Sequence, residues 1–532
     1  VDCERLLIAH AMASEGTGSS FLQEGLCVIV VGASGDLAKK KTYPSLLTLF
    51  QNKLLPEETV IWGYARSAKT HESLRAHLKP GLLKLVNSED VVNSFLSRCF
   101  YKRGSSYGDA DAFGDMVSQI KDYEVNFSRN SAHNRLFYLA VPPNVFGETG
   151  VVIKRTALQD TNKGWSRIII EKPFGRDLKS CNELLKILST QFEEHNLYRI
   201  DHYLGKEMVQ NLLTLRFGNS WFERIWNKSA IQSVILSFKE KIGTEGRGGY
   251  FDQFGIIRDV LQNHLLQVLT LLAMEAPVKA EGKRDSDQIR DAKVKVLEAM
   301  PKIQLDDCLL GQYEGYTDDP TLLNANSNTA TYAAIRCFVD TPRWTGVPFI
   351  MEAGKALDEA KVEIRIQFRP PSAAEHMFNP DGVSCLPRNE LVIRLQPDPA
   401  IYMTTNIKEP GFSTNTVTRS LSMEYTRFES KHKSPSSSHP DAYTRLILDV
   451  LQGRQGSFVR DDELRKSWEI FTPLLHRIEG EQVRPHVYKQ GTPGPKGRSS
   501  FIEGMGGYVH HPNLPKISSS KLIGRMFPQS AL

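Results

Sequence analysis

The stretch that most constrains the fold is Leu26-Cys-Val-Ile-Val-Val31, which runs without a break into Gly32-Ala-Ser-Gly-Asp-Leu-Ala38. An unbroken β-prone apolar run suits a strand buried on both faces, the situation of a parallel sheet covered by helices. The glycines then mark a tight turn, and residues 36–50 read as a helix. Strand, glycine turn and helix in that order place backbone N–H groups and a helix N-terminus where they can cradle a pyrophosphate. Gly32, Ala33, Ser34, Gly35, Asp36 and Leu37 are therefore expected to hold a dinucleotide. The spacing is G-x-x-G-x-x-A rather than G-x-G-x-x-G. A phosphate loop of the G-x-x-x-x-G-K type is excluded, because Leu37 stands at its second glycine.

A second β-run, residues 60–65, ends at Arg66-Ser67. An acidic residue here would hold the ribose 2′-OH of NAD, whereas a basic one accommodates the 2′-phosphate of NADP. Arg66 and Ser67 thus predict NADP. Strands over 135–141 and 167–170 and a helix over 177–190 continue an open sheet, and Glu171-Lys172-Pro173 stands beyond a carboxyl end, where such sheets bind ligands. From about residue 200 longer strands mix with helices, at 231–242, 331–339, 362–368, 390–395 and 420–428. Residues 362–368 alternate strictly, which predicts an antiparallel strand with one face buried and one polar. The expected architecture is an α/β Rossmann-like N-terminal domain plus a larger α+β domain with a mostly antiparallel sheet. Its expected parts are a mobile extension over 1–25, a dinucleotide-binding domain over 26–200, a substrate-binding and dimerisation domain over 201–490, and a tail over 491–532 to which no structure is assigned. Loops are expected at 277–288, 434–438 and 491–497 from their Pro, Gly and Ser content.

The densest chemistry lies in Arg199-Ile-Asp-His-Tyr-Leu-Gly-Lys-Glu207. Tyr203 offers an O–H, His202 a ring N–H and Lys206 three N–H donors with a full charge, a set suited to gripping a phosphate. A carboxylate beside that anion would repel it, so Asp201 is read as turned toward a residue it can orient, such as a histidine. His264 is the candidate, in an apolar segment interrupted by Asp259, Asn263 and His264. Buried polar groups need hydrogen bonds, so these three either satisfy one another or face a ligand cavity. An Asp201–His264 general-base pair is the expectation.

Arg199 to Glu207, Glu171 to Leu178, Gly32 to Ala38 and Gly246-Arg-Gly-Gly-Tyr-Phe-Asp252 closely resemble the glucose-6-phosphate dehydrogenase family, and the resemblance runs from about Cys27 to His486. It implies oxidation of glucose 6-phosphate at C1 to 6-phosphoglucono-lactone with hydride transfer to NADP⁺, the entry to the oxidative pentose phosphate pathway. It makes His264 the base and Asp201 its orienter, and gives His202, Tyr203 and Lys206 the 6-phosphate. Lys172 would sit between sugar and nicotinamide, with a cis bond at Pro173. Glu240 and Asp259 would bind sugar hydroxyls and Lys355 the phosphate. A homodimer or homotetramer would form through the large sheet. Ala360 stands where many members carry an arginine near the substrate. Some members hold a second, structural NADP on the C-terminal domain. Lys361, Arg365 and Arg388 match basic positions of that site, but Glu352 replaces an arginine, so the second site is expected to be weak or absent. Past about residue 487 the family pattern is not recognised. Two other readings stay open: an oxidoreductase of unphosphorylated sugars on the same fold, and a catalytically dead relative serving as a binding subunit.

With 532 residues the chain exceeds what one core usually serves, and a net charge of +5 with Lys and Arg spread along it leaves no nucleic-acid footprint. Seven cysteines with no C-x-x-C and no close Cys/His cluster point to a reducing compartment and no metal site. The longest uncharged apolar run falls short of the ~20 residues that span a bilayer, so no membrane partner is expected. The sequence opens at Val1 and is read as lacking its native N-terminus. Cytoplasmic location is expected. The final Ser530-Ala-Leu532 resembles the Ser-Lys-Leu peroxisomal address without its basic middle residue, which makes a peroxisome-type organelle the alternative.

Overall fold

The computed structural model describes residues 20–126, 132–378, 386–423, 440–504 and 507–510. The expectations for residues 1–19, 424–428, 434–438 and 511–532, including the Ser-Ala-Leu end, lie outside them. The chain divides into two compact units, one of residues 1–205, 277–291 and 438–465, the other of 206–276, 292–437 and 466–532. The first unit ends its opening run at residue 205, and two later segments, 277–291 and 438–465, cluster with it. Helix Ala442–Leu451 explains the longer of these. Its Leu446, Ile447 and Val450 are wholly buried and join the core formed with Val28, Val30, Leu46, Leu47 and Leu136.

The first unit is built on a six-stranded sheet of β1 (Gly25–Val31), β2 (Thr59–Ala65), β3 (Cys99–Arg103), β4 (His133–Leu139), β5 (Ser166–Glu171) and β6 (Leu197–Ile200), in the order β3-β2-β1-β4-β5-β6. Every pairing is parallel. All residues of β1 and β2 are buried, as their unbroken apolar runs require. The order reverses between β1 and β4, and open α/β sheets bind ligands beyond the carboxyl ends at such a point. Residues 20–25 correct the expectation of a mobile extension. Phe21 is buried in the core, Glu24 accepts a hydrogen bond from Asn134, and β1 already starts at Gly25.

The second unit carries a nine-stranded sheet of β7 (Ile231–Lys239), β8 (Cys308–Tyr313), β9 (Tyr332–Cys337), β10 (Phe349–Gly354), β11 (Lys361–Phe368), β12 (Glu390–Gln396), β13 (Ala400–Lys408), β14 (Thr416–Met423) and β15 (His486–Tyr488). Its order is β14-β13-β12-β11-β7-β10-β9-β8-β15, antiparallel except at β7–β10 and β8–β15. Three expectations are corrected here. The polar face of β11 is not solvated: Glu363 and Gln367 are buried with Glu390 of β12, because residues 498–504 and 507–510 lie across that face. The stretch read as a tail therefore has structure over 491–504 and 507–510, with a short helix Arg498–Glu503. The loop expected over 277–288 gives way at Asp285 to helix Asp285–Glu298. Among the described residues no helix is long and apolar enough to cross a membrane.

Candidate active site

In the first unit β1 ends in Gly32 at φ +89°, and a Cβ there would lie 2.3 Å from the Ala140 carbonyl oxygen at the end of β4. Only glycine fits so close an approach. Beyond it a helix begins at Asp36, and its residues Ala38–Thr42 take the wider π-helical winding. At the end of β2, Arg66 and Ser67 are exposed; the Arg66 guanidinium lies over the Tyr107 ring, 5.2 Å from its centroid, and the Ser67 hydroxyl is 2.9 Å from that of Ser34. Strand ends and glycine turn thus have the shape of a dinucleotide cradle, with a guanidinium at its edge. At the end of β5, Lys172-Pro173 is a cis peptide. The preceding Glu171 is buried and accepts a 2.5 Å hydrogen bond from Tyr138. Burial pushes the Glu171 carboxyl up to about 7, against the opposing pull of Tyr138 and Lys172.

The Asp201 turn follows β6. Arg199 is spent on structure, with paired bonds to Glu194 at 2.7 and 2.9 Å. Asp201 is 3% exposed and accepts the Tyr203 backbone N–H at 3.0 Å, while the neighbouring His202 stays half-buried. A 3₁₀ turn, His202–Gly205, packs on helix Ala442–Leu451 so tightly that a Cβ on Gly205 would lie 2.5 Å from the Ala442 oxygen. The His202 ring stacks on Tyr443, with centroids 5.9 Å apart and planes 9° apart. Lys41 reaches the same place, 3.0 Å from Asp441 and 5.6 Å from the Tyr443 centroid. Sequence reasoning missed this cluster. The basic run Lys39-Lys40-Lys41 was its visible trace, whereas nothing local sets Tyr443 apart.

In the second unit Lys206 donates to the Gln396 side-chain oxygen at 2.6 Å. Gln396, which begins a cis bond to Pro397, is another residue the sequence reading missed. Glu240 follows β7 and Lys355 follows β10. These strands are parallel neighbours, so their ends bring the two side chains to a 2.5 Å ion pair. His264 is 3% exposed and lies in the π-helical segment Ile257–Leu265. The winding matters for Asp259. In an α-helix positions five apart point about 140° away from each other, whereas i→i+5 bonding stacks them, so Asp259 and His264 share one side. Asn263 turns back on the backbone, accepting from the His264 N–H at 2.7 Å and donating to the Arg258 carbonyl at 3.1 Å. Of Asp259, Asn263 and His264, Asn263 is thereby accounted for locally.

The buried face of β10, β11 and β12 bears on a second dinucleotide. Glu352 is fully buried and takes a bidentate pair from Arg498 at 3.0 and 2.7 Å. Arg365 is held by Glu363 and Glu390 at 2.8 and 2.9 Å, and Lys361 by Glu359 and Glu363 at 3.0 and 2.9 Å. These cations already have carboxylate partners, and buried Glu352 would oppose a phosphate. The residues present do not fit another dinucleotide there.

Comparison with known proteins bears on the whole chain. Residues 29–211 match the profile described as "Glucose-6-phosphate dehydrogenase, NAD binding domain", and residues 213–510 that described as "Glucose-6-phosphate dehydrogenase, C-terminal domain". The second match extends the family pattern past residue 487, where sequence reading had lost it. Glucose-6-phosphate 1-dehydrogenase of Dictyostelium discoideum is 46% identical over 90% of this chain and 94% of its own length. The cytoplasmic isoform of Solanum tuberosum is 46% identical over 92% and 94%. A solved glucose-6-phosphate dehydrogenase, described as in complex with its substrate glucose-6-phosphate, superposes with a TM-score of 0.84 at 44% identity, covering 92% of this chain and 99% of the other. With both profiles end to end and full-length relatives matched nearly throughout, the chain belongs to the glucose-6-phosphate dehydrogenase family.

Proposed function

We propose that this chain oxidises glucose 6-phosphate at C1 to the lactone and uses NADP⁺, with the residues named above in the following roles. The observation that carries the site assignment is the Asp201 turn, where the carboxylate is turned inward and the imidazole beside it stays half-open. That orientation suits Asp201 to hold the His264 imidazole and stabilise its protonated form, so that His264 takes the proton of the C1 hydroxyl. His202, Tyr203, Lys206 and Lys355 supply donors for the 6-phosphate. Glu240 and Asp259 accept from sugar hydroxyls. A bound nicotinamide dinucleotide supplies the hydride acceptor. Gly32, Ala33, Ser34, Gly35, Asp36 and Leu37 hold its pyrophosphate, Arg66 and Ser67 its 2′-phosphate, and Lys172 and Pro173 align its reactive end with the sugar. No second dinucleotide is needed for this reading.

We assign assembly as a homodimer or homotetramer to the large sheet, whose edge strand β14 exposes Leu421 and Met423 and whose β13–β14 connection exposes Phe412. The cytosol is the proposed location.

The decisive variant is His264→Asn. General-base catalysis contributes ~10²–10⁴-fold, so kcat should fall at least about a hundredfold with little change in glucose 6-phosphate affinity; retained turnover would overturn the assignment. Cofactor choice is checked with Arg66→Ala, assayed with both nucleotides at one ionic strength. Loss of a charged hydrogen bond, about 1.5–3 kcal/mol, predicts a roughly ten- to hundredfold drop in kcat/KM for NADP⁺ alone. An equal drop with NAD⁺ would make Arg66 a structural residue.

A further inference from the structure

Lys355 sits in the turn Gly354-Lys355-Ala356-Leu357, and Ala356 there has φ +52°, a left-handed conformation that a non-glycine residue holds only when its surroundings impose it. Part of that imposition comes from the end of the paired strand β7. The Ala356 N–H donates to Ile242, the Leu357 N–H to Glu240 and the Glu240 N–H to Gly354, each at 2.9 Å. The remainder comes from residues far along the chain. Gly491 donates its N–H to the Ala356 carbonyl at 2.9 Å, Asp358 donates to Thr492 at 3.0 Å, and the Tyr488 hydroxyl donates to the Lys355 carbonyl at 2.7 Å. The Tyr488 phenol is 4% exposed and lies 3.0 Å from the Thr331 hydroxyl. Since Tyr488 gives its proton to Lys355, Thr331 must donate to Tyr488, while its oxygen also accepts the Tyr313 N–H at 3.0 Å. The result is a buried relay from Thr331 through Tyr488 to the Lys355 peptide, in which each bond polarises the next.

We propose that Tyr488 is a positioning residue for substrate binding: its hydroxyl fixes the Lys355 peptide, and thereby the ammonium that meets Glu240, so that docking of the segment from β15 to Thr492 sets affinity for the phosphorylated sugar. This rests on the reading of Lys355 as a phosphate contact. The mechanism is geometric. A neutral donor behind the peptide adds no charge to the site, yet it restrains the side chain that does. Loss of such a restraint weakens substrate binding without touching proton transfer at His264 or the dinucleotide cradle, which are built from other elements.

The test compares Tyr488→Phe, Lys355→Ala and the double variant in the full chain, with KM for glucose 6-phosphate, KM for NADP⁺ and kcat each measured. One neutral hydrogen bond corresponds to about three- to tenfold in KM. Tyr488→Phe should raise KM for the sugar phosphate by that factor, leave the other two constants within about twofold, and add nothing further in the Lys355→Ala background. Equal loss in all three constants, or full additivity in the double variant, would overturn the proposal. If Lys355→Ala alone leaves the sugar-phosphate KM unchanged, the reading of Lys355 fails and the proposal falls with it. Should Tyr488→Phe not accumulate as folded protein, Thr331→Val and Thr331→Ser put the same question: the serine must keep the wild-type KM and the valine must raise it, and the reverse outcome rejects the relay.

Discussion

The two sheets treat buried carboxylates differently. In the first, apolar side chains surround the strands, and the carboxylate that closes β5, Glu171, meets a phenol; burial drives it up to about 7. In the second, Glu363 is buried just as deeply, and burial again pushes it upward, but Arg365 and Lys361 outweigh burial and hold it below its ordinary value. Depth alone therefore does not decide the state of a buried acid. A cation within bonding distance keeps it charged, and a hydroxyl leaves it near neutrality.

The largest effect should come from breaking a pair in the second sheet. Glu352→Ala leaves the Arg498 guanidinium without its counter-charge and should cost about 4 kcal/mol, within the range for removing one partner of a buried pair. Hydrogen exchange should report the loss in β10 and β11. Replacing both partners, Glu352→Met with Arg498→Leu, should restore stability to the wild-type level or above it. If the double variant is as weak as the single one, the pair is irreplaceable and the comparison must be redrawn.

A smaller loss is expected from the first sheet, where packing rather than pairing is at stake. Ile29→Ala in β1 removes wholly buried methylenes and should cost about 3 kcal/mol, as Ile→Ala changes in cores do, with exchange accelerating in β1 and β2. Equal loosening of β11 would mean that the two cores unfold together.

The subtlest test is a pH difference. Because folding raises the Glu171 pKa from its ordinary 4.5 to about 7, the native state binds the extra proton in that interval, and the contribution of Glu171 to stability declines as pH rises from 4.5 to 7. Glu171→Gln keeps an acceptor for Tyr138 but cannot ionise. It should therefore gain on the order of 2 kcal/mol over the wild type between pH 5 and pH 8. Parallel stability curves would mean that Glu171 is already charged at pH 5.

These contrasts also explain what could be read in advance. The first sheet was legible because an unbroken run such as Leu26–Val31 has few other places to go, and Gly32 with its neighbours announces the turn that follows. In the second sheet, alternation at residues 362–368 located the strand correctly and misjudged its polar face, since the segment that covers it arrives more than a hundred residues later. The candidate site divides similarly. Asp201, His202, Tyr203 and Lys206 fall within one short stretch and announce themselves. Gln396, Lys41 and Tyr443 depend on contacts brought about by folding, which no local pattern records.

The winding around His264 has an arithmetic consequence. A helix bonded five residues back accommodates one residue more per turn than its α-helical neighbours, so the segment before Leu266 behaves like a rod carrying a surplus bead. Deleting a residue between Asp259 and His264 would let the backbone relax into the commoner winding, to the benefit of the helix itself. The two side chains would then stand four apart, about 40° from each other, and would still share a face; only α winding of the unshortened segment would turn them about 140° apart. The surplus residue is thus a geometric shim: at the segment's present length it is the π winding, not the α winding, that keeps Asp259 and His264 on one side.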